Sequence, residues 1–412
     1  MIAEEPPANG VGASRKPRIL AIAYACMPNV GSESGAGFAW ARILAGLGET
    51  WVLTRRWPAL SADLAAAVAA APEASSLHVV EVDPPRWIGS REWDPSARSH
   101  QMLEYLGWQL AALTTARRLA RRNRVDLVWH VTYANVWMGS IGALLGKPFV
   151  LGPVGGGVGP PWRLLRIFGW RGAIRELLRS IVRTGGRWLN PLSRAAWTRA
   201  RIILVQNRET REWLPRAVRE KTLVFNNIVF EPDHPVRTRN SGSRDRPVAL
   251  YAGRLVPLKG VSLAIRAVAL LPRWQLLLVG SGQDEARLRR LASKAGVTER
   301  VQFRGWQDRE EVLRTMREDA DVFIFPSLHE EGGWAVGEAM AIGLPVVCLD
   351  RGGPPVIVGR GVPTSGETET VHRLAHEMDD ALLRPRTMKP MPTIEHRREE
   401  LIALLQGSHV SL

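Results

Sequence analysis

The chain has 412 residues, 45% of them hydrophobic, and carries 55 Lys and Arg against 40 Asp and Glu, a formal charge of +15. That length and apolar content suit two domains with a core each, and the surplus positive charge points to an anionic partner: nucleic acid, an acidic membrane or a phosphorylated substrate. The two cysteines, Cys26 and Cys348, are far apart in sequence, which argues against a disulfide framework or a zinc site and fits a reducing compartment.

The opening stretch MIAEEPPANGVGASRKP (1–17) is polar, rich in Pro and Gly, and lacks the apolar run of a signal peptide. It reads as a disordered tail, with the cytoplasm as the expected location. The apolar run PRILAIAY (17–24) predicts a strand. The loop ACMPNVGSESGAG follows, then a helix over FAWARILAGLG (38–48) and a second strand over TWVLTR (50–55). Further apolar runs at 77–82, 125–131, 148–152 and 201–206 alternate with helical stretches, the pattern of a parallel sheet. The uncharged stretch LVWHVTYANVWMGSIGALLG (127–146) approaches the length of a bilayer span, but its interior polar groups and glycines fit a buried strand, loop and helix better. The polar, turn-rich segment 231–246, EPDHPVRTRNSGSRDR, is the expected linker between an acceptor-side domain (18–230) and a second domain (247–392). In the second domain strands are predicted at 247–253, 274–280, 300–305, 321–327 and 345–350, with helices near 261–271, 284–295, 309–317 and 334–342. The expected fold class is α/β: two Rossmann-like, doubly wound parallel sheets facing a central cleft. The remaining 393–412, with the helix-like TIEHRREELIALL, is expected to cross back onto the first domain.

In an open α/β sheet the ligand sits beyond the carboxyl ends of the strands. In the second domain those positions hold GRLVPLKG (253–260) with Gly253, Arg254 and Lys259, and GSGQ (280–283) with Gly280 and Gly282. They also hold GWQDRE (305–310) with Trp306, and SLHEEGG (327–333). Gly332 and Gly333 precede the helix predicted from Trp334, so unpaired backbone N–H groups and the positive end of its dipole make an anion site. Arg254 and Lys259 complete a cradle that suits a diphosphate without a metal ion. Glu338, one turn into the helix, suits the paired hydroxyls of a ribose, and Glu330 the hydroxyls of a group on the far phosphate. DAD (319–321) precedes a strand and so belongs at the opposite edge of the sheet. GALLGKP (142–148) lacks the spacing and the Ser or Thr of a P-loop. A nucleotide-sugar is the ligand this pattern fits.

These residues resemble the retaining glycosyltransferases of family 4, which have the GT-B fold. The resemblance rests on the spaced acid pair Glu330 and Glu338 in EEGGWAVGEAMAIGLPVV, on GRLVPLKG, and on a subgroup pattern, C-x-P…GSE-x-G-x-G, seen in CMPNVGSESGAG with Gly35, followed by GPVGGGVGPP with Gly155 and Gly156. It implies catalytic roles for Arg254, Lys259, Glu330 and His130, the last by its position at a strand end in VWHVTY, where a satisfied buried histidine is the alternative. It implies donor contacts from Gly35, Gly253, Gly280, Gly282, Trp306, Gly332, Gly333, Trp334 and Glu338, and acceptor-side contacts from Gly155 and Gly156. It further implies transfer with retention to a lipid-linked or polysaccharide hydroxyl, with no cofactor and no metal. The chain departs from the family at Gly332, where a larger, often aromatic residue is usual, and at Glu331, read as a solvated neighbour of Glu330. Epimerases and phosphorylases of the same fold, and a non-catalytic membrane-binding scaffold, are the rival readings.

The charge surplus concentrates in 162–201, where ten arginines face a single Glu176, interleaved with Trp162, Trp170, Trp188 and Trp197. Arg171, Arg175 and Arg179 recur every four residues while Ile174, Leu177, Leu178 and Ile181 fill another face. That composition suits the anionic inner face of a membrane, with a solvated face packed on the first domain as the alternative. No groove-reading or base-stacking module accompanies it, so nucleic acid is not an expected partner.

Overall fold

The computed structural model describes residues 15–28, 33–85, 98–230, 245–384 and 392–407. Most of the expected tail, and the expected linker apart from Asp245 and Arg246, lie outside them. The first domain contains β1 (Arg18–Ala23), α1 (Glu33–Leu47), β2 (Glu49–Arg55), α2 (Ser61–Ala70), β3 (Leu77–Val82), α3 (Arg98–Arg122), β4 (Leu127–Thr132) and β5 (Phe149–Val154). It continues with α4 (Gly169–Leu189), α5 (Pro191–Arg199), β6 (Ile202–Val205), α6 (Arg208–Trp213) and β7 (Thr222–Val224). Its sheet runs β3-β2-β1-β4-β5-β6-β7 with every pair parallel. Helices cover both faces, so every residue of β4 and β5 is buried, and the strands read as unbroken apolar runs instead of alternating ones.

The structure starts α1 at Glu33, five residues before the sequence reading, with Gly35 and Gly37 inside the helix and not in a loop. Glycine lowers helix propensity, which hides this turn from a sequence reading. Packing overrides it, because a Cβ on Gly37 would stand 1.8 Å from the Ala25 carbonyl oxygen. The stretch 127–146 becomes β4, a loop and a 3-10 turn (Ile141–Leu144), and among the described residues no helix is long and apolar enough to cross a membrane.

The second domain contains β8 (Val248–Ala252), α7 (Val261–Leu270), β9 (Gln275–Val279), α8 (Glu285–Lys294), β10 (Val301–Gly305), α9 (Arg309–Glu318), β11 (Val322–Phe325), α10 (Trp334–Ala341), β12 (Val346–Cys348), α11 (Pro354–Val358) and α12 (Glu367–Leu383). Its parallel sheet runs β10-β9-β8-β11-β12. At the edge away from the cleft, Asp321 of the DAD segment accepts the Val248 N–H at 3.0 Å, a junction bond between strands. Among the described residues, two segments pack across from one domain to the other. The 3-10 helix Trp162–Phe168 buries Leu164, Ile167 and Phe168 in the second domain's core. The last helix, α13 (Ile394–Gly407), buries Ile394, Leu401 and Leu405 with Trp40, Ile43 and Leu44 of α1. The molecule has the GT-B architecture: two parallel-sheet α/β domains facing a cleft.

Candidate functional site

Strand order reverses between β1 and β4 in one sheet and between β8 and β11 in the other. Such switch points open a crevice at the strands' carboxyl ends, and the two crevices face each other across a cleft of about 750 Å³. From the first domain it is lined by Glu33, Tyr133, Ala134, Asn135, Gly156, Gln206 and Asn227, joined by Arg179, Val182 and Arg183 of α4. From the second come Gly253, Arg254, Lys259, His329, Glu330, Glu331, Gly332, Trp334 and Ala335. Among these, Arg179, Arg183, Arg254 and Lys259 stand against Glu33, Glu330 and Glu331, a small positive balance.

Gly333 caps α10 with φ +101°, a conformation glycine adopts without strain. Trp334 and Ala335, whose N–H groups belong to the first turn of α10 and have no intrahelical acceptor, line the cleft. The Lys259 ammonium pairs with the Glu330 carboxylate and lies 5.3 Å from the centre of the Phe325 ring. The loop carrying Arg254 is held by the buried Tyr251, whose hydroxyl donates to the Arg254 carbonyl oxygen at 2.9 Å. Burial raises the Tyr251 hydroxyl far above its usual range, so it stays a neutral donor.

Other expected site residues are not among those that line this cavity. Glu338 pairs with Arg309 at 2.7 Å, between α10 and the start of α9. Gly280 and Gly282 stand behind the β8 loop, where Cβ atoms would meet the carbonyl oxygens of Gly253 and Leu255 at 2.0 and 2.3 Å. Trp306 is 75% exposed beyond β10, and Gly35 lies within α1. His130 is fully buried in β4, with Nε2 3.0 Å from the Tyr133 carbonyl oxygen. Burial lowers its pKa to about 4, against a small opposite effect of that carbonyl, so it is a neutral buried imidazole and not a wall of the cleft.

The reading of Glu331 as a solvated neighbour is overturned. It accepts from Asn207 Nδ2 at 2.9 Å and from the Thr210 hydroxyl at 3.4 Å, and its Oε1 lies 3.5 Å from His329 Nε2. Burial works to raise its pKa, but His329, Asn207 and the Gly156 N–H outweigh it and hold the carboxyl below its ordinary range. The sequence carried one signal for this: a second acid in a loop of glycines. Its receptors on α6 have no motif.

Segment 162–201 contains the 3-10 helix Trp162–Phe168, α4 and α5; Trp197 is a core residue of the first domain, while Trp162, Trp170 and Trp188 are exposed. In α4 Glu176 is buried, whereas Trp170, Ile174, Leu177, Leu178, Ile181 and Val182 are exposed together with Arg175 and Arg179.

Residues 236–397 match the family described as Glycosyl transferases group 1. The chain is 42% identical over 110 residues to the lipopolysaccharide core biosynthesis glycosyltransferase LpsE of Rhizobium meliloti (strain 1021), covering 27% of this chain and 32% of that protein. It is 38% identical over 156 residues to the D-inositol 3-phosphate glycosyltransferase of Mycobacterium sp. (strain KMS), covering 36% and 35%. It thus spans about a third of the length of these curated relatives. Over nearly its whole length it is similar in fold to Anabaena Alr3699/HepE in complex with UDP and glucose, with TM-score 0.57, 18% identity, and 94% of this chain and 99% of that chain covered. Residues 236–397 are thus similar to the glycosyl transferases group 1 family, in a chain whose fold is GT-B.

Proposed function

We propose that the protein is a retaining glycosyltransferase that moves a sugar from a nucleotide-diphosphate donor to a hydroxyl acceptor at an anionic membrane surface. The observation that carries this is the β8/β11 switch point, where the start of α10, Arg254 and Lys259 converge on one wall of the cleft. Transfer with retention brings the acceptor hydroxyl to the face from which the diphosphate departs, so the main task is stabilising charge on that leaving group. Arg254, Lys259 and the first N–H groups of α10 are fixed donors for it and make a divalent ion unnecessary. The solved neighbour bound to UDP and glucose supports a uridine nucleotide-sugar as the first probe. The exposed apolar stripe of α4, flanked by exposed tryptophans and arginines, supports the membrane surface and with it a lipid-linked acceptor.

A thermal-shift panel of nucleotide-sugars, run with excess chelator, tests the donor reading. A ligand at a hundredfold its dissociation constant stabilises by about 2.7 kcal/mol. A nucleotide-sugar that raises the melting temperature, and is turned over in chelator when a hydroxyl acceptor is added, is the expected result. Activity lost in chelator and restored by magnesium or manganese would sink the metal-free cradle.

A further inference from the structure

The first domain closes tightly over the loop before α10. A Cβ on Gly332 would stand 3.1 Å from Gln206 Oε1 and 3.2 Å from Asn227 Oδ1, so side chains of the first domain take the space that a larger residue there would need. The same domain also grips the backbone of this loop. The side-chain amide of Asn207, at the start of α6, donates to the Glu331 carbonyl oxygen at 3.1 Å, and that of Asn226, just after β7, donates to the Gly332 carbonyl oxygen at 3.1 Å. Each asparagine is fixed from its other end: Asn207 Oδ1 accepts the Thr210 N–H at 2.8 Å, and Asn226 Oδ1 accepts the Ile228 N–H at 2.9 Å. Both are buried.

The preceding carbonyl, of Glu330, accepts the Gly353 N–H at 3.0 Å. A Cβ on Gly353 would stand 2.3 and 2.1 Å from the Glu331 and Gly332 carbonyl oxygens, so three successive carbonyls converge on one side of the loop. Across a trans peptide the N–H points opposite to the C=O, and the bonds 331–332 and 332–333 are trans. The N–H groups of Gly332 and Gly333 are therefore turned away from the two asparagines. Like those of Trp334 and Ala335, they have no acceptor among the described residues. Successive N–H groups that run into a left-handed residue, here Gly333, form a concave nest for an anion.

We infer that Asn207 and Asn226 are positioning residues for the donor diphosphate: by holding two carbonyls they aim the Gly332 and Gly333 N–H groups at its terminal phosphate, beside those of Trp334 and Ala335. Both roles rest on the donor reading above. The anion site belongs to the second domain, and its orientation is set by the first.

The test is titration calorimetry of the parent, Asn207→Ser and Asn226→Ser with UDP or GDP, whichever the parent binds more tightly, and with the matching monophosphate. Serine keeps an oxygen for the local N–H and is too short to reach the carbonyl. In the parent the diphosphate should bind at least about tenfold more tightly than the monophosphate. In each variant that ratio should shrink by about fivefold or more, with monophosphate affinity within about twofold of the parent's. A merely structural role would lower the melting temperature and leave the ratio alone. In the parent, amide exchange over 331–335 should slow with the diphosphate and stay unchanged with the monophosphate. The parent's ratio in folded Asn207→Ser or Asn226→Ser overturns the role of that residue, and exchange over 331–335 that the diphosphate leaves unchanged overturns both. A parent that binds neither diphosphate more tightly than its monophosphate overturns the donor reading and this inference with it.

Discussion

Lys259 and Glu330 neutralise each other in the cleft, so removing one has the opposite effect on an anion from removing the other. In the proposed cradle Lys259→Ala deletes a phosphate donor and the Glu330 partner; a charged hydrogen bond is worth about 1.5 to 3 kcal/mol, so affinity for a free nucleoside diphosphate should fall at least tenfold. Turnover should fall on the order of 10² to 10³, the scale for loss of one donor to a developing charge. Glu330→Gln frees Lys259, so it should leave diphosphate affinity equal or higher while lowering turnover. Calorimetry and a rate assay check both signs, and parallel losses of diphosphate binding would break the argument. His130 gives a pH prediction. Its folded pKa of about 4 lies below the usual 6.5, so below pH 6.5 the unfolded chain takes up a proton that the folded chain refuses, and stability falls with pH until about pH 4. Over that interval the loss is about 3 kcal/mol. Denaturant melts of the parent and His130→Gln between these pH values should differ in slope, the variant being flatter.

At the scale of elements, α4 combines two faces that a helical pattern alone cannot assign. Its arginine and aliphatic stripes are plain in the sequence, but which one packs inward depends on its neighbours. The structure turns Glu176 inward, with Arg179 at 2.6 Å, and lets Arg183 donate to the carbonyl oxygens of Gly157 and Val158 at 3.1 and 2.6 Å. The aliphatic side is left outside. Leu178→Glu and Ile181→Glu should therefore leave the melting temperature nearly unchanged, since both side chains are more than half exposed in the parent. Each should weaken sedimentation with anionic vesicles by roughly tenfold, given about 1.5 to 3 kcal/mol for burying such a side chain. Binding by the parent should also fall as salt rises. Equal binding of parent and variants would return α4 to a solvated helix.

Across the whole molecule, α13 makes the first domain depend on a segment that follows the second. Ile394, Leu401 and Leu405 are almost fully buried there, Arg397 donates to the Ile228 carbonyl oxygen at 3.0 Å, and Arg398 pairs with Glu73 at 2.8 Å. Deleting 392–412 should expose Trp40 and Leu44 of α1. Burial of three such aliphatic side chains is worth several kcal/mol, at about 1.5 to 3 each. Amide exchange should then accelerate in α1, β1 and β2 while β8, β9 and β11 keep their protection. Uniform acceleration in both domains, or none, would contradict this separation.

The sequence alone determined what depends on near neighbours. Unbroken apolar runs become parallel strands because both faces are covered, and the paired glycines before Trp334 fix the start of α10 because only a few residues are needed to turn the chain there. The strands of the second domain, the doubly wound class and the loops at its switch point were legible for that reason. What the tertiary structure decided were partners and burial. Glu331 and Asn207 are 124 positions apart, so nothing local marks the acid as a bridge between domains. The inward face of α4, the enclosure of His130 and the pairing of Glu338 with Arg309 have the same origin. Whether a charged or apolar side chain meets water is set by what the rest of the chain brings against it, and that is a property of the packed molecule.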